Sequence, residues 1–217
     1  MKIAFVLRGH YRSFDITSIE WLNTLKEHEY DCYFHTWDLK DCTTPTGWRG
    51  EKYALGLYDS NIELLKKFDK DILIEHQVFT KGDLNDITMS SPYKAFMYRY
   101  ESLRDTLNRI PENKYDLIIV GRYDILMKKR DCFKKLDILD NEIFIGARPD
   151  EKYYKSIAAT DLLFAFHPKY IKLFNVNPYS KPCNFKFGEE PFTKFLFNNF
   201  KNVIVKWKYQ DDFIIRR

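Results

Sequence analysis

The stretch NKYDLIIVGRYDILMKK, residues 113–129, decides the fold prediction. Its apolar part predicts a strand from Tyr115 to Gly121, because a strand that is covered on both faces reads as a continuous apolar run. Two opposite charges follow at once, since Arg122 and Asp124 flank Tyr123. A cation and an anion therefore stand directly after a strand that should be buried in the middle of a sheet.

Strand and helix signals alternate along the rest of the chain. The apolar run Ile3–Leu7 predicts another buried strand, and a helix follows in which Ile16, Ile19, Leu22 and Leu25 recur at helical spacing. A long helix should begin at Ser-Ser-Pro, residues 90–92. Further strands are predicted at 31–37, 72–75, 142–145, 160–166 and 203–207, further helices at 61–68, 169–174 and 190–198, and an irregular segment at 38–56. This order predicts an α/β fold with a mostly parallel or mixed central sheet flanked by helices.

Composition and charge limit the class of protein. A chain of 217 residues is long enough for one domain with a sizeable core. Its 35 basic and 31 acidic residues are spread without a long basic run, which argues against a dedicated nucleic-acid surface. The 4 cysteines form no Cys-x-x-Cys pair, so neither a zinc site nor a disulfide framework is indicated. No apolar run reaches the roughly 18 residues of a membrane span, and we expect a soluble, cytoplasmic protein.

Asp124 has two possible roles. A carboxylate at the end of a buried strand can hold Mn²⁺ or Mg²⁺ on a diphosphate, because these cations take oxygen ligands. Arg122 would then bind phosphate or sugar oxygens through its planar fork. The alternative is a local salt bridge between Arg122 and Asp124 at the strand end, and the residues alone leave both roles open.

The loop LRGHYRS after the first strand is rich in hydrogen-bond donors. Gly9 lets the backbone turn closely, and Arg8, His10 and Arg12 supply donors where a nucleotide phosphate would lie beside the following helix. The loop carries neither the glycine fingerprint of dinucleotide-binding proteins nor a P-loop. The alternative interpretation is a basic loop that merely precedes a helix.

Two more stretches hold candidate residues. In FHTWD, Trp37 could stack on a base and Thr36 could bond the base edge or the ribose, although a core role for Trp37 is equally open. In GEEPF, Glu189 and Glu190 stand at a helix start, where the helix dipole alone would favour carboxylates. Either of them, or Asp161 in a later strand, is a candidate general base.

In their order along the chain, these stretches resemble small GT-A-type glycosyltransferases that build surface polysaccharides. Such enzymes occur in bacterial capsule synthesis and in large DNA viruses that glycosylate their capsids. The resemblance is carried by KIAFVLRGHYRSF, DCYFHTWD, SSPYKAFMYRYESL, YDLIIVGRYDIL, DLLFAF and GEEPF. Two positions depart from the pattern of the group. Gly9-His10 replaces the usual Gly-Gln, and Arg122 stands at the first acidic position of the Asp-x-Asp metal motif.

The resemblance implies a Rossmann-related, GT-A-like single domain over 1–217, with the nucleotide-sugar part at about 1–127 and the acceptor side at about 128–217. It implies a hexosyl- or deoxyhexosyltransferase that uses a nucleotide-diphosphate donor, a UDP-sugar in particular, and a glycan acceptor hydroxyl. Asp124 would hold Mn²⁺ or Mg²⁺. The implied donor contacts are Arg8, Gly9, His10, Arg12, Thr36, Trp37, Tyr93, Lys94 and Arg122, and the implied base of an inverting enzyme is Glu190, with Glu189 and Asp161 as alternatives.

Two rival functions stay open at this point. A nucleotidyl- or phosphoryl-transferring enzyme would use the same carboxylate, but it should also carry a glycine-rich phosphate loop or a suitably placed lysine. A non-catalytic module that binds carbohydrate or nucleotide would need only the aromatic residues. The abrupt ending DDFIIRR suggests one domain of a longer polypeptide, and a viral protein of this kind would act in the host cytoplasm.

Overall fold

The structure is a computed structural model that describes residues 1–41, 55–75, 100–134, 136, 138–139, 141–148, 158–179, 190–208 and 210–215. Over these residues, seven strands form one mixed sheet, and helices pack on it. The predicted α/β class, with a mixed central sheet flanked by helices, is confirmed. None of the helices in the described ranges is long and apolar enough to cross a membrane.

The elements alternate in the predicted way. In chain order they are β1 Lys2–Gly9, α1 Phe14–Leu25, β2 Glu29–Trp37, β3 Leu39–Asp41, β4 Leu55–Gly56, α2 Asp59–Lys66, β5 Leu73–Glu75, the helical segment α3 at 100–107, β6 Leu117–Arg122, β7 Ile125–Met127, β8 Glu142–Arg148, β9 Ala158–Phe166, a 3₁₀ helix Pro168–Asn175, α4 Glu190–Asn199, β10 Asn202–Lys208 and β11 Phe213–Ile215.

The main sheet has the strand order β10–β8–β9–β6–β1–β2–β5. Neighbouring strands are parallel except at β9, which runs antiparallel to both β6 and β8. The carboxyl ends of β6, β1, β2 and β5 consequently share one edge of the sheet. This is the edge at which open α/β sheets bind their ligands.

The two central strands are the most deeply buried part of the sheet. Residues Ile3–Leu7 of β1 and Leu117–Val120 of β6 are almost fully covered, and Val6 lies opposite Val120 in parallel register. Burying a large apolar side chain contributes about 1.5–3 kcal/mol, so these strands anchor the centre of the sheet. Successive side chains alternate between two cores, and Val6 and Val120 belong to the one that α3 and α4 cover.

Helix α1 forms where the sequence predicts it, but of the four spaced apolar residues only Leu25 is buried. Ile16 and Ile19 are 63% and 61% exposed. The core-facing side carries the aromatic rings of Phe14 and Trp21, and the Trp21 ring centroid lies 4.9 Å from that of Phe5. Large rings bury more area than aliphatic side chains, and this difference decided which face of the helix packs against the sheet.

Short strands outside the main sheet were not predicted. β7 pairs antiparallel with β11, so that Ile125 lies opposite Ile215. The ends of the predicted irregular segment also pair, since Leu39 of β3 lies opposite Gly56 of β4. The helix predicted at 169–174 is a 3₁₀ helix.

Candidate functional site

The predicted loops meet at the carboxyl edge of the sheet. Arg8 of β1 is in register with Arg122 of β6 on one side and with His35 of β2 on the other. Arg8 is only 2% exposed. Three basic residues from three neighbouring strands therefore lie in one row across the sheet.

Asp124 lies at the centre of this edge and is completely buried. Nη1 of Arg12 donates a hydrogen bond to Oδ2 of Asp124 over 2.7 Å. Nε of Arg122 donates to Oδ1 over 3.0 Å, and Nη2 of Arg122 donates to Oδ2. Burial raises the pKa of the Asp124 carboxyl, but the guanidinium groups of Arg122 and Arg12 lower it by more, so the pKa lies below its ordinary value.

This geometry matches the salt-bridge alternative for Arg122 and Asp124. Both carboxylate oxygens of Asp124 already accept hydrogen bonds from guanidinium groups. Within the described ranges, no group of three or more His, Cys, Asp or Glu side chains could hold a metal ion. The described residues around Asp124 thus do not fit Mn²⁺ or Mg²⁺, and a metal ion there stays a prediction that their arrangement does not support.

The loop after β1 turns sharply to bring Arg12 to Asp124. Gly9 has φ of +101° and Arg12 has φ of 48°, so both lie in the left-handed region. Glycine adopts this region without strain, whereas an arginine needs surrounding contacts to hold it there. The pair with Asp124 supplies such a contact. His10 lies over the neighbouring strand end, with its ring centroid 6.4 Å from that of Trp37.

The end of β2 is more buried than a base-binding surface would be. Thr36 is fully buried, and Trp37 is 8% exposed. The Trp37 ring packs edge-on against His35, with centroids 4.7 Å apart. These contacts favour the core interpretation of Trp37, and direct contact of Thr36 or Trp37 with a nucleotide stays a prediction.

His35 is a buried histidine with one charged partner. Its Nε2 donates to Oε2 of Glu75 over 2.7 Å, whereas Nδ1 makes no hydrogen bond to any described residue. Burial lowers the pKa of His35, and the bond to Glu75 only partly opposes that effect. The neutral form of the ring is therefore favoured in the folded protein.

Tyr123 holds the backbone of the candidate site in place, and the sequence did not indicate this role. It is fully buried, its hydroxyl donates to the backbone oxygen of His35 over 2.9 Å, and its own backbone oxygen accepts a hydrogen bond from the Thr17 hydroxyl. The backbone between Arg122 and Asp124 is thus held from both sides. The signal available was a tyrosine between two charges, which by itself says nothing about distant partners.

Two of the three predicted bases lie on described elements of the fold. Asp161 is part of β9, toward the same edge of the sheet, because Phe164 of β9 pairs with Val120 and Ala158 pairs with Arg148. Glu190 is the first residue of α4. The predicted residues Glu189, Tyr93 and Lys94 lie outside the described residues.

The sequence matches no protein-family model and no curated protein. Among solved structures, the chain is similar to the crystal structure of a glycosyltransferase involved in the glycosylation of the major capsid of PBCV-1. The TM-score is 0.49 and the sequence identity is 9%. The matched region covers 94% of this chain and 81% of that chain.

Proposed function

We propose that the protein is a glycosyltransferase that moves a hexosyl or deoxyhexosyl group from a nucleoside diphosphate donor, a UDP-sugar in particular, to a glycan hydroxyl. The observation that carries this proposal is the convergence of Arg8, Arg12 and Arg122 on the carboxyl edge of β1 and β6. Ligands of open α/β sheets bind at this edge, and guanidinium groups bind phosphate through paired hydrogen bonds. A donor diphosphate is the anionic ligand that we assign to it.

The reaction needs charge stabilisation on the leaving group. The acceptor oxygen bonds to the anomeric carbon of the sugar, and the bond from that carbon to the β-phosphate oxygen breaks. The electrons of the broken bond stay on the departing nucleoside diphosphate. Guanidinium groups that are already fixed beside that phosphate stabilise the charge as it develops, because no reorganisation is then needed.

The acceptor proton needs a base if the reaction inverts the anomeric centre. We propose Glu190, Glu189 or Asp161 for this role, since a carboxylate at a cleft edge can accept a hydroxyl proton. If the reaction retains configuration, the same residues would orient hydroxyl groups of donor or acceptor. Gly9, His10, Thr36, Trp37, Tyr93 and Lys94 are the further donor contacts that we propose.

The test is the release of free nucleotide from a panel of nucleotide sugars, with simple glycosides as acceptors. We expect at least one UDP-sugar to yield UDP together with a glycosylated acceptor. Replacing Arg122 by Met should lower turnover about tenfold or more, because a charge-assisted hydrogen bond to phosphate is lost. Arg130→Met is the matched control, since Arg130 is an exposed arginine beyond β7.

Each product points to a different function. UDP with a new glycoside supports the proposal. Release of sugar 1-phosphate, with the UMP group passed to an acceptor or to water, would instead indicate the rival nucleotidyl or phosphoryl transfer. An Arg122→Met variant as active as the wild type, or a panel with no turnover of any nucleotide sugar, would contradict the proposed function.

A further inference from the structure

We propose that Asp124 is a positioning residue that fixes Arg12 and Arg122 relative to each other, and that these paired guanidinium groups bind the donor diphosphate without a divalent cation on Asp124. The inference rests on the glycosyltransferase function proposed above. It adds to that function the means by which the diphosphate is bound.

The positive charges of this edge are closer to solvent than the negative one. The side chains of Arg12 and Arg122 are 16% and 11% exposed, whereas that of Asp124 is 0% exposed. A ligand that approaches this edge meets the guanidinium groups before the carboxylate. A cation would have to displace both arginines from Asp124 and then lie beside two positive charges, which repel it. A diphosphate is instead attracted by the same two positive charges.

Asp124 joins two separate parts of the chain. Arg12 comes from the loop after β1, and the residue that it contacts is 112 positions away in sequence. Arg122 comes from the end of β6, two residues before Asp124. One carboxylate that accepts from both thereby sets the separation of the two guanidinium groups. A diphosphate needs such a fixed pair, because its two phosphate groups are themselves a fixed distance apart.

The residue that carries the carboxylate is itself held in place. Tyr123, next to Asp124, is anchored through its hydroxyl to the His35 backbone oxygen and through its backbone oxygen to the Thr17 hydroxyl. A charged residue on a backbone fixed at both sides cannot easily turn out toward solvent. Its position serves to organise the arginines and not to coordinate an incoming ion.

The experiment measures the binding of UDP to the wild-type protein by titration calorimetry, once in EDTA and once in Mn²⁺. We expect equal affinity in the two buffers, weaker binding of UMP, and competition by inorganic pyrophosphate. Arg122→Met should weaken UDP binding about tenfold or more. Arg122→Lys should bind UDP with an affinity between those of the wild type and Arg122→Met, because lysine keeps the charge but lacks the planar fork.

The role of Asp124 is tested by the preference for UDP over UMP. Asp124→Asn should reduce this preference in EDTA, since the guanidinium groups lose their common anchor, and a purely structural role would not change the ratio in the folded fraction. Asp116→Asn is the matched control, because Asp116 is an exposed aspartate beyond the opposite end of β6. The preference of Asp116→Asn for UDP over UMP should equal that of the wild type. If Asp124→Asn does not fold, the two buffers and the Arg122 variants still decide the question.

The outcomes separate the two proposals. UDP binding that requires Mn²⁺, and that Asp124→Asn abolishes, would overturn this inference and leave the glycosyltransferase function standing. A failure of UDP, GDP and CDP to bind in both buffers would overturn the inference together with the proposed function.

Discussion

The hydroxyl of Thr17 in α1 donates a hydrogen bond to the backbone oxygen of Tyr123, and both residues are fully buried. This contact ties the first helix to the segment that carries Arg122 and Asp124. Thr17→Val keeps the shape of the side chain but leaves the carbonyl without its donor. We expect a loss of about 1–2 kcal/mol in the free energy of unfolding, measured by urea denaturation.

Thr17→Ser is the control for that prediction. Serine retains the hydroxyl and removes one methyl group, so it should be less destabilising than valine. A valine variant as stable as the wild type would show that the hydrogen bond contributes nothing to folding.

Gly121 in β6 lies against Trp21, and this contact gives a second prediction. A Cβ atom at position 121 would be 3.0 Å from Cη2 of Trp21 and 3.2 Å from Cδ2 of Leu7. Gly121→Ala therefore overpacks the core between β6 and α1, and we expect it to destabilise the protein by about 1–3 kcal/mol. Thermal unfolding would measure this.

Gly56→Ala is its matched control, because a Cβ atom at Gly56 would meet nothing within 4 Å. That substitution should change stability by no more than about 0.5 kcal/mol. Equal losses of stability in Gly121→Ala and Gly56→Ala would mean that contact with Trp21 does not restrict the size of the side chain at position 121.

The sequence was informative where burial leaves a continuous apolar signal. Ile3–Leu7 and Leu117–Val120 are covered on both faces, so their hydrophobic runs identified β1 and β6 directly. Their polar continuations then indicated the loops that meet at the carboxyl edge. This part of the site could be predicted because parallel strands bring their ends together whatever the residues between them.

Partners that are distant in sequence could not be predicted. The residues after β6 allowed either a metal site or a salt bridge at Asp124, and what distinguishes the two is Arg12, which lies 112 positions away. The antiparallel direction of β9 is likewise set by pairing with β6 and β8 and not by its own composition. The exposed stripe of Ile16 and Ile19 shows that helical spacing locates a helix without fixing its buried face.

His35 makes stability depend on pH. Its pKa in the folded state is lowered mainly by burial, while Glu75 of β5 and Asp105 of α3 partly raise it and Arg8 of β1 lowers it further. The unfolded state therefore binds the proton more strongly. The contribution of His35 to the free energy of unfolding has its full value above the unfolded-state pKa of about 6.5. That contribution declines as the pH falls through this value.

The measurement is the free energy of unfolding in urea at pH 7.5 and at pH 5.5. The wild type should be less stable at the lower pH, and His35→Gln should lose much of that difference. A glutamine variant with the same pH dependence as the wild type would show that another group is responsible.

Asp69 holds β2 and the segment after α3 together through a buried carboxylate. Its Oδ2 accepts a hydrogen bond from the backbone N–H of Phe34 and lies 3.1 Å from Nη2 of Arg109. Arg109 also donates to the backbone oxygens of Phe34 and Asp71. Asp69→Ala leaves the Phe34 amide without its acceptor and Arg109 without its charged partner, and we expect a loss of about 3 kcal/mol.

Asp105→Ala is the comparison for this prediction. Asp105 pairs with its neighbour Arg104, and the side chains are 37% and 34% exposed. Exposed pairs of this kind contribute at most about 1 kcal/mol. Urea denaturation of the two variants should therefore differ clearly, and similar losses would contradict the structural role assigned to Asp69.

The pairing of β7 with β11 links the candidate site to the order of synthesis. Ile125, the residue after Asp124, lies opposite Ile215, so the strand that leaves the site gains its partner from β11, which is translated after every strand of the main sheet. Chains emerge and fold from the amino terminus first. A nascent chain that already contains the arginines and Asp124 therefore still presents β7 as an unpaired edge, and the site acquires its full support only when residues 213–215 have been added.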